Sequence, residues 1–105
     1  MIPDLVLYHA DCTDGFGAAW AIWKRYPGAQ FVPADHGHPP PVSCDGRAVV
    51  IVDFSYSRPI LEDMAGQSAA IQVLDHHITA QEALSGLPYV HFDLDKSGAV
   101  LAWEW

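Results

Sequence analysis

Short apolar runs rich in Val, Ile and Leu alternate along the chain with stretches whose apolar residues recur at helical spacing. Residues 5–8 predict a first strand and residues 15–26 a helix. In that helix Phe16, Trp20 and Trp23 fall at i, i+4 and i+7, with Ala19, Ile22 and Tyr26 beside them. Pro27-Gly28 ends the helix, and residues 29–33 predict a second strand. A loop rich in proline and glycine follows over 34–46. The unbroken apolar run at 48–52 predicts the most deeply buried strand. Residues 59–64 open a short helix, with Ser57 placed to cap it. Residues 69–74 predict a fourth strand, 79–84 a short helix closed by Gly86, and 88–92 a fifth strand. Ser97 opens a last helix that continues to Trp105. Five strands and four helices alternate, with only the 34–46 loop between the second and third strands. That alternation predicts an α/β fold: a doubly wound, mostly parallel five-stranded sheet with helices on both faces. Parallel pairing is non-local, so the strand order stays open.

Composition narrows the function classes. The chain has 105 residues, which suits one domain spanning 1–105, and half of them are apolar, enough for a core. Thirteen acids against five bases leave a formal charge of −8. That sign argues against strong double-stranded DNA binding through a basic surface. It allows phosphate chemistry where a bound cation supplies the positive charge. Two cysteines, Cys12 and Cys44, are too few for a disulfide framework, and a reduced, cytoplasmic setting is expected. No signal segment and no membrane-length apolar run is visible, so no membrane partner is expected.

The acids and imidazoles fall at particular places. His9, Asp11 and Asp14 follow the first predicted strand; Asp35, His36 and His38 follow the second; Asp53 follows the third; Asp75, His76 and His77 the fourth; and Asp93 and Asp95 the fifth. In parallel α/β sheets the carboxyl ends of the strands share one edge, where ligands bind. Carboxylates gathered there repel one another by roughly 4 kcal/mol per pair at about 4 Å and an effective dielectric near 20, so they protonate or bind cations. Mixed Asp and His donors suit Mn²⁺, Zn²⁺ or Fe²⁺ better than Ca²⁺, and five or six donors suggest two ions. Two ions about 3.5–4 Å apart activate a water and hold a phosphoryl oxygen, which points to hydrolysis of a phosphate ester or anhydride.

Any one of these positions also has an ordinary reading. Asp and His are common in turns, and Asp35, His36 and His38 lie in a loop where surface roles are equally natural. His91 reads as structural, and Glu62, Asp63 and Glu82 as solvated helix faces. Cys12 is a candidate soft ligand on thin grounds, and Cys44 reads as inert. Asp53 and Asp75 stand apart, because each follows an apolar strand where burial without a partner is costly. A dinucleotide fingerprint is imitated by Gly15, Gly17 and Asp35. Trp20 at the third glycine position and the acids Asp11 and Asp14 at the turn weigh against it.

Four segments resemble the motifs of the DHH phosphoesterase superfamily in order and spacing: "HADCTDGFGAAWA" from His9, Asp53 in "VVIVDFSYS", the triplet Asp75-His76-His77, and "FDLDKSGAVLAWE" from Phe92. That superfamily includes RecJ-type exonucleases, manganese-dependent pyrophosphatases, exopolyphosphatases, oligoribonucleases and cyclic-dinucleotide phosphodiesterases. The first and last segments are most similar to members labelled exopolyphosphatase-like. The resemblance implies a manganese-dependent hydrolase with two ions, with Mg²⁺, Co²⁺ and Zn²⁺ as alternatives. It implies that His9 and Asp11 hold one metal and Asp14 the other. Asp53 would bridge both, and His76 would join the second metal with Asp93, or alternatively Asp95. It places His77 toward the substrate phosphate or leaving group as a catalytic residue, with Asp75 orienting the neighbouring histidine. Ser97 and Gly98 would offer backbone N–H groups to phosphate, and Lys96 or Arg58 would supply charge.

Two departures accompany the resemblance. Many members space the first acids as Asp-x-Asp, whereas Cys12 and Thr13 stand between Asp11 and Asp14 here. Members also continue into a second, C-terminal domain that supplies basic groups, which this sequence is expected to lack. The expected partner is a small phosphorylated substrate: a nucleotide, an oligonucleotide or a polyphosphate. Trp103 and Trp105 on the last helix suggest self-association, with a frayed terminus as the ordinary alternative. The alternative to an enzyme is a non-catalytic module that binds metal or nucleotide without turnover.

Overall fold

A computed structural model describes residues 1–105. The strands β1 (Leu5–His9), β2 (Gln30–Ala34), β3 (Ala48–Val52), β4 (Ala70–Asp75) and β5 (Val90–Phe92) form one sheet in the order β2-β1-β3-β4-β5. Every pairing is parallel. The helices are α1 (Thr13–Arg25), α2 (Arg58–Gln67), α3 (Ile78–Ala83) and α4 (Gly98–Glu104). The doubly wound α/β expectation therefore holds, with the sheet wholly parallel. No helix is long and apolar enough to cross a membrane.

The period-2 alternation of strands distributes two cores over the two faces of the sheet. Leu5, Leu7, Val49, Ile51 and Val73 meet Leu61 and Met64 of α2 and Leu84 after α3. Val6, Val50, Val52 and Leu74 meet Ala18, Ala21 and Ile22 of α1 and Ala102 of α4. Strand β3 contributes to both cores, which explains its unbroken apolar sequence. The fifth strand is shorter than the 88–92 expected. Pro88 lacks an N–H, and regular pairing begins only at Val90, opposite Val73.

The aromatic stripe that marks α1 in the sequence is not the face the helix buries. Phe16, Trp20 and Trp23 are exposed, whereas Gly15, Ala18, Ala19, Ala21 and Ile22 are buried. Small residues let α1 lie close to the sheet and to α4. Trp20 then stacks on Trp103 of α4, ring centroids 6.4 Å apart, with the Lys24 ammonium 4.8 Å from the Trp20 ring. Trp103 is 57% exposed, but Trp105 is half-buried, edge-on to Tyr26. Ser57 occupies the N-cap position of α2 without a side-chain cap bond, and Pro59 sits in the first turn. Ser97 does cap α4, its hydroxyl accepting from Val100 N–H at 3.2 Å.

Strand order reverses between β1 and β3, because β1 is followed through α1 by β2 on one side while β3 lies on the other. Ligand crevices open at such switch points, outside the carboxyl ends of the strands. Tyr8 pairs with Val52 in the register, which puts the next residues, His9 and Asp53, side by side at that edge. Val52 pairs with Leu74, which brings Asp75 alongside.

Candidate metal centre

Asp53 is the centre of the arrangement. It leaves β3 in the left-handed region, φ 68°, and its N–H donates to Leu74 carbonyl at 2.9 Å. An aspartate in this conformation costs on the order of 1 kcal/mol or more, so the surroundings must hold it there. Two glycines make that room. A Cβ on Gly98 would lie 2.7 Å from Asp53 Cβ, and one on Gly15 would lie 2.9 Å from His9 Cβ. Asp53 ends up 1% exposed among other donors.

Its two oxygens face two different groups. Asp53 Oδ1 lies 2.7 Å from His76 Nε2, which is itself 3.3 Å from Asp14 Oδ2. Asp53 Oδ2 accepts from Cys12 Sγ at 3.2 Å and lies 3.5 Å from His9 Nδ1. The donor atoms of His9, Cys12 and Asp53 all fall within 4.8 Å of one another, as do those of Asp14, Asp53 and His76. Asp53 thus belongs to two overlapping sets, contributed by the ends of β1, β3 and β4 and the start of α1. Asp14 is fixed from far along the chain, accepting Gly98 N–H at 2.7 Å and Ala99 N–H at 2.9 Å.

A second layer stands beside this cluster. Asp75, 1% exposed, takes His76 N–H at 2.7 Å and contacts His77 Nδ1 at 2.6 Å through Oδ1, while Oδ2 accepts from Ser55 Oγ at 2.7 Å. The contact engages His77 through Nδ1, on an exposed residue. His77, His9, Asp75, Ser55, His36 and Phe54 are among the residues lining a cleft of about 380 Å³. Phe54 stacks on the His9 ring at 5.8 Å and so fixes its plane.

Other expected site residues lie elsewhere. Asp11 is exposed, at φ 52°, and joins none of the donor clusters; Cys12 stands beside His9 instead. Asp93 joins none either: it accepts Asp95 N–H at 3.0 Å and pairs with Lys96 at 3.6 Å. Asp95 is exposed. Lys96 pairs with Glu104, and Arg58 donates to the Ser85 carbonyl at 2.7 Å. Ser97 caps α4, and the Gly98 N–H expected to meet phosphate is taken by Asp14. His91 bonds Gln72 at 2.8 Å, away from the cluster. The parts understated by the sequence pattern are Cys12, Ser55 and Phe54. The last two flank Asp53 closely in sequence, which is the only signal they carried.

The electrostatics follow from burial and crowding. Burial, then the neighbouring Asp14 carboxylate, push the Asp53 carboxyl above its ordinary range, against the lowering contacts from Cys12 and His76. Burial acts the same way on Asp14. There the hydrogen bond with Asp53, the Ala99 and Gly98 N–H groups and nearby His76 outweigh it and hold the carboxyl low. Two carboxylates about 4 Å apart repel by about 4 kcal/mol at an effective dielectric of 20, so a crowded pair of this kind favours a proton or a bound cation. The chain's own bases do not relieve this. Arg25 bonds the Ala102 carbonyl, Arg47 bonds Gln30, and Lys24 lies over Trp20. His9 Nδ1 is moreover buried with no hydrogen-bond partner. An orphaned imidazole nitrogen and a crowded acid pair, one member buried and the other part-buried, with no Lys or Arg beside them, are a donor set that fits divalent metal.

No protein-family model matches the chain. It is 36% identical to an uncharacterised protein of Acanthamoeba polyphaga mimivirus over 120 aligned positions, covering 97% of this chain and 28% of that protein. The crystal structure of an uncharacterised protein from Helicobacter pylori G27 superposes with a TM-score of 0.79 at 16% identity, over 95% of this chain and 35% of that one. At such low identity the likeness concerns the fold alone. The chain thus spans 28% of the curated relative and 35% of the solved structure it matches, and in the latter it corresponds to one α/β unit of a longer polypeptide.

Proposed function

We propose that this domain is the metal-binding half of a divalent-metal-dependent phosphoesterase of DHH type, acting on phosphodiesters or phosphoanhydrides. The observation that carries the reading is the pair of donor sets meeting on one buried carboxylate, Asp53, at the switch point of the sheet. Asp53 with His9 and Cys12 would hold one ion, and Asp53 with Asp14 and His76 the other. When bound, such ions polarise a phosphoryl oxygen and lower the pKa of water, in this reading with manganese as the first candidate. The chain's own residues do the positioning. Asp75 fixes the His77 ring through Nδ1, which leaves Nε2 available to hydrogen-bond a phosphate oxygen or to hand a proton to a leaving oxygen in the adjoining cleft. Phe54 and Ser55 hold His9 and Asp75 in place.

A second reading has its own support. No Lys or Arg of this chain lines the cleft, and Lys96 and Arg58 make their contacts with Glu104 and Ser85. A module that binds metal or a metal–nucleotide complex without turnover is consistent with that. Manganese calorimetry on metal-stripped wild type and Asp53→Asn, followed by assays with a chromogenic phosphodiester and with pyrophosphate, separates the readings. Two ions bound by the wild type, a sharp loss in the variant and metal-dependent hydrolysis support the enzyme. Binding with no hydrolysis of either probe favours the module. Undiminished manganese binding by Asp53→Asn overturns the site.

A further inference from the structure

We propose that Cys12 is a metal ligand through Sγ, and that its thiolate makes the His9 side of the centre selective for a thiophilic divalent cation such as Zn²⁺, Co²⁺ or Fe²⁺. The proposal rests on the metal-centre reading above and specifies one of its two subsites. Cys12 Sγ lies 3.2 Å from Asp53 Oδ2, the oxygen that His9 Nδ1 approaches at 3.5 Å. That imidazole nitrogen is buried and unpartnered, so nitrogen and sulfur donors converge on the same carboxylate oxygen.

The backbone explains why cysteine and not the preceding acid is in this place. Asp11 takes a left-handed turn at φ 52° and stays exposed, whereas Cys12 returns to an extended conformation, φ −134° and ψ 125°. Cys12 is the N-cap residue of α1, yet its side chain makes no cap bond and is directed to Asp53 instead. A disulfide is no competing use. Both cysteines are free thiols, and Cys44 is buried near the Met64 carbonyl and Gln67 beneath α2.

The chemistry follows from ligand softness. A thiolate with an imidazole and a carboxylate favours Zn²⁺, Co²⁺ or Fe²⁺, whereas Asp14, Asp53 and His76 offer only nitrogen and oxygen and accept harder ions such as Mn²⁺. The two subsites are therefore chemically unequal. As the sulfur–metal bond forms, the thiol proton leaves to solvent.

Cobalt titration of the metal-stripped protein tests this without reference to turnover. The wild type should show the near-ultraviolet charge-transfer band of a thiolate bound to cobalt. Cys12→Ser should lose it, with Co²⁺ and Zn²⁺ affinity down by about tenfold or more. Asp11→Asn and Cys44→Ser should retain it. Cys12→Asp should bind without the band and shift preference from Zn²⁺ toward Mn²⁺, which guards against a serine variant that fails to fold. Cobalt bound by the wild type without a band, or a band retained in Cys12→Ser, overturns the proposal while leaving the metal centre standing. No cobalt binding by folded wild type overturns both.

Discussion

Replacing Gly98 by alanine tests whether the close approach of α4 to Asp53 builds the centre. The new Cβ would sit 2.7 Å from Asp53 Cβ and 2.8 Å from Cγ, and nearer still to Oδ1. Carbon atoms in contact prefer roughly 3.5–4.0 Å, so about an ångström must be found. Asp53 has little to give, with its N–H bonded to Leu74, its φ at 68° and its oxygens against His76 and Cys12. Overpacking of this kind costs about 1–3 kcal/mol. Alanine also gains about 0.4–1 kcal/mol over glycine through the unfolded chain, so the net loss should be about 1–2 kcal/mol. For a domain of this size that lowers Tm by roughly 5–15 °C. Gly66→Ala in α2 is the matched control: nothing lies within 4 Å of its Cβ, and the same gain should appear with no penalty. Thermal unfolding of the metal-free proteins reads the first effect. Manganese calorimetry reads the second, an expected loss of about 10–100-fold for Gly98→Ala because a ligand is displaced rather than removed. A Gly98→Ala protein as stable as Gly66→Ala, with unchanged manganese affinity, would refute the reasoning.

Three further outcomes follow from the same contacts. Metal-free Asp53→Asn should be more stable than wild type near neutral pH, by about 1–3 kcal/mol, since asparagine tolerates the left-handed backbone and removes a buried charge. Because burial raises the folded Asp53 carboxyl above its ordinary range, wild-type stability is lost as pH rises through the folded value; the variant's advantage should grow upward from acid pH, as urea unfolding across pH would show. Asp75→Asn should destabilise the fold by about 1–3 kcal/mol, because Asp75 accepts from Ser55 and His76 N–H and orients His77. It should also free the His77 ring, visible as changed imidazole resonances, with manganese stoichiometry retained. Ser97→Ala should cost about 1 kcal/mol in urea unfolding through loss of the α4 cap.

The strands and helices were legible because each is written locally, in Val and Ile runs or in apolar residues at helical spacing. The order β2-β1-β3-β4-β5 was not, since nothing in a strand's own residues names its parallel neighbour. The placing of acids and imidazoles at strand ends anticipated that His9, Asp53 and His76 would gather at one edge. It did not anticipate the exchange of Asp11 for Cys12, which turns on a single left-handed residue whose torsion the sequence pattern does not encode. Nor did it anticipate that the N–H groups opening α4 would already be taken by Asp14, 84 residues away from Gly98. The aromatic stripe of α1 misled for a different reason. Bulk marks a face as apolar, but close helix–sheet packing chose the face of small residues.

The bond between Asp14 and the start of α4 makes one side chain serve two equilibria. Its oxygens anchor the last helix, and they also belong to a donor set shared with Asp53 and His76. In the proposed metal centre, cation affinity and the docking of α4 would then be linked functions, and linkage is reciprocal. A cation drawn to Asp14 would change the free energy of seating α4, and a change in the seating of α4 would alter the affinity for the cation in return.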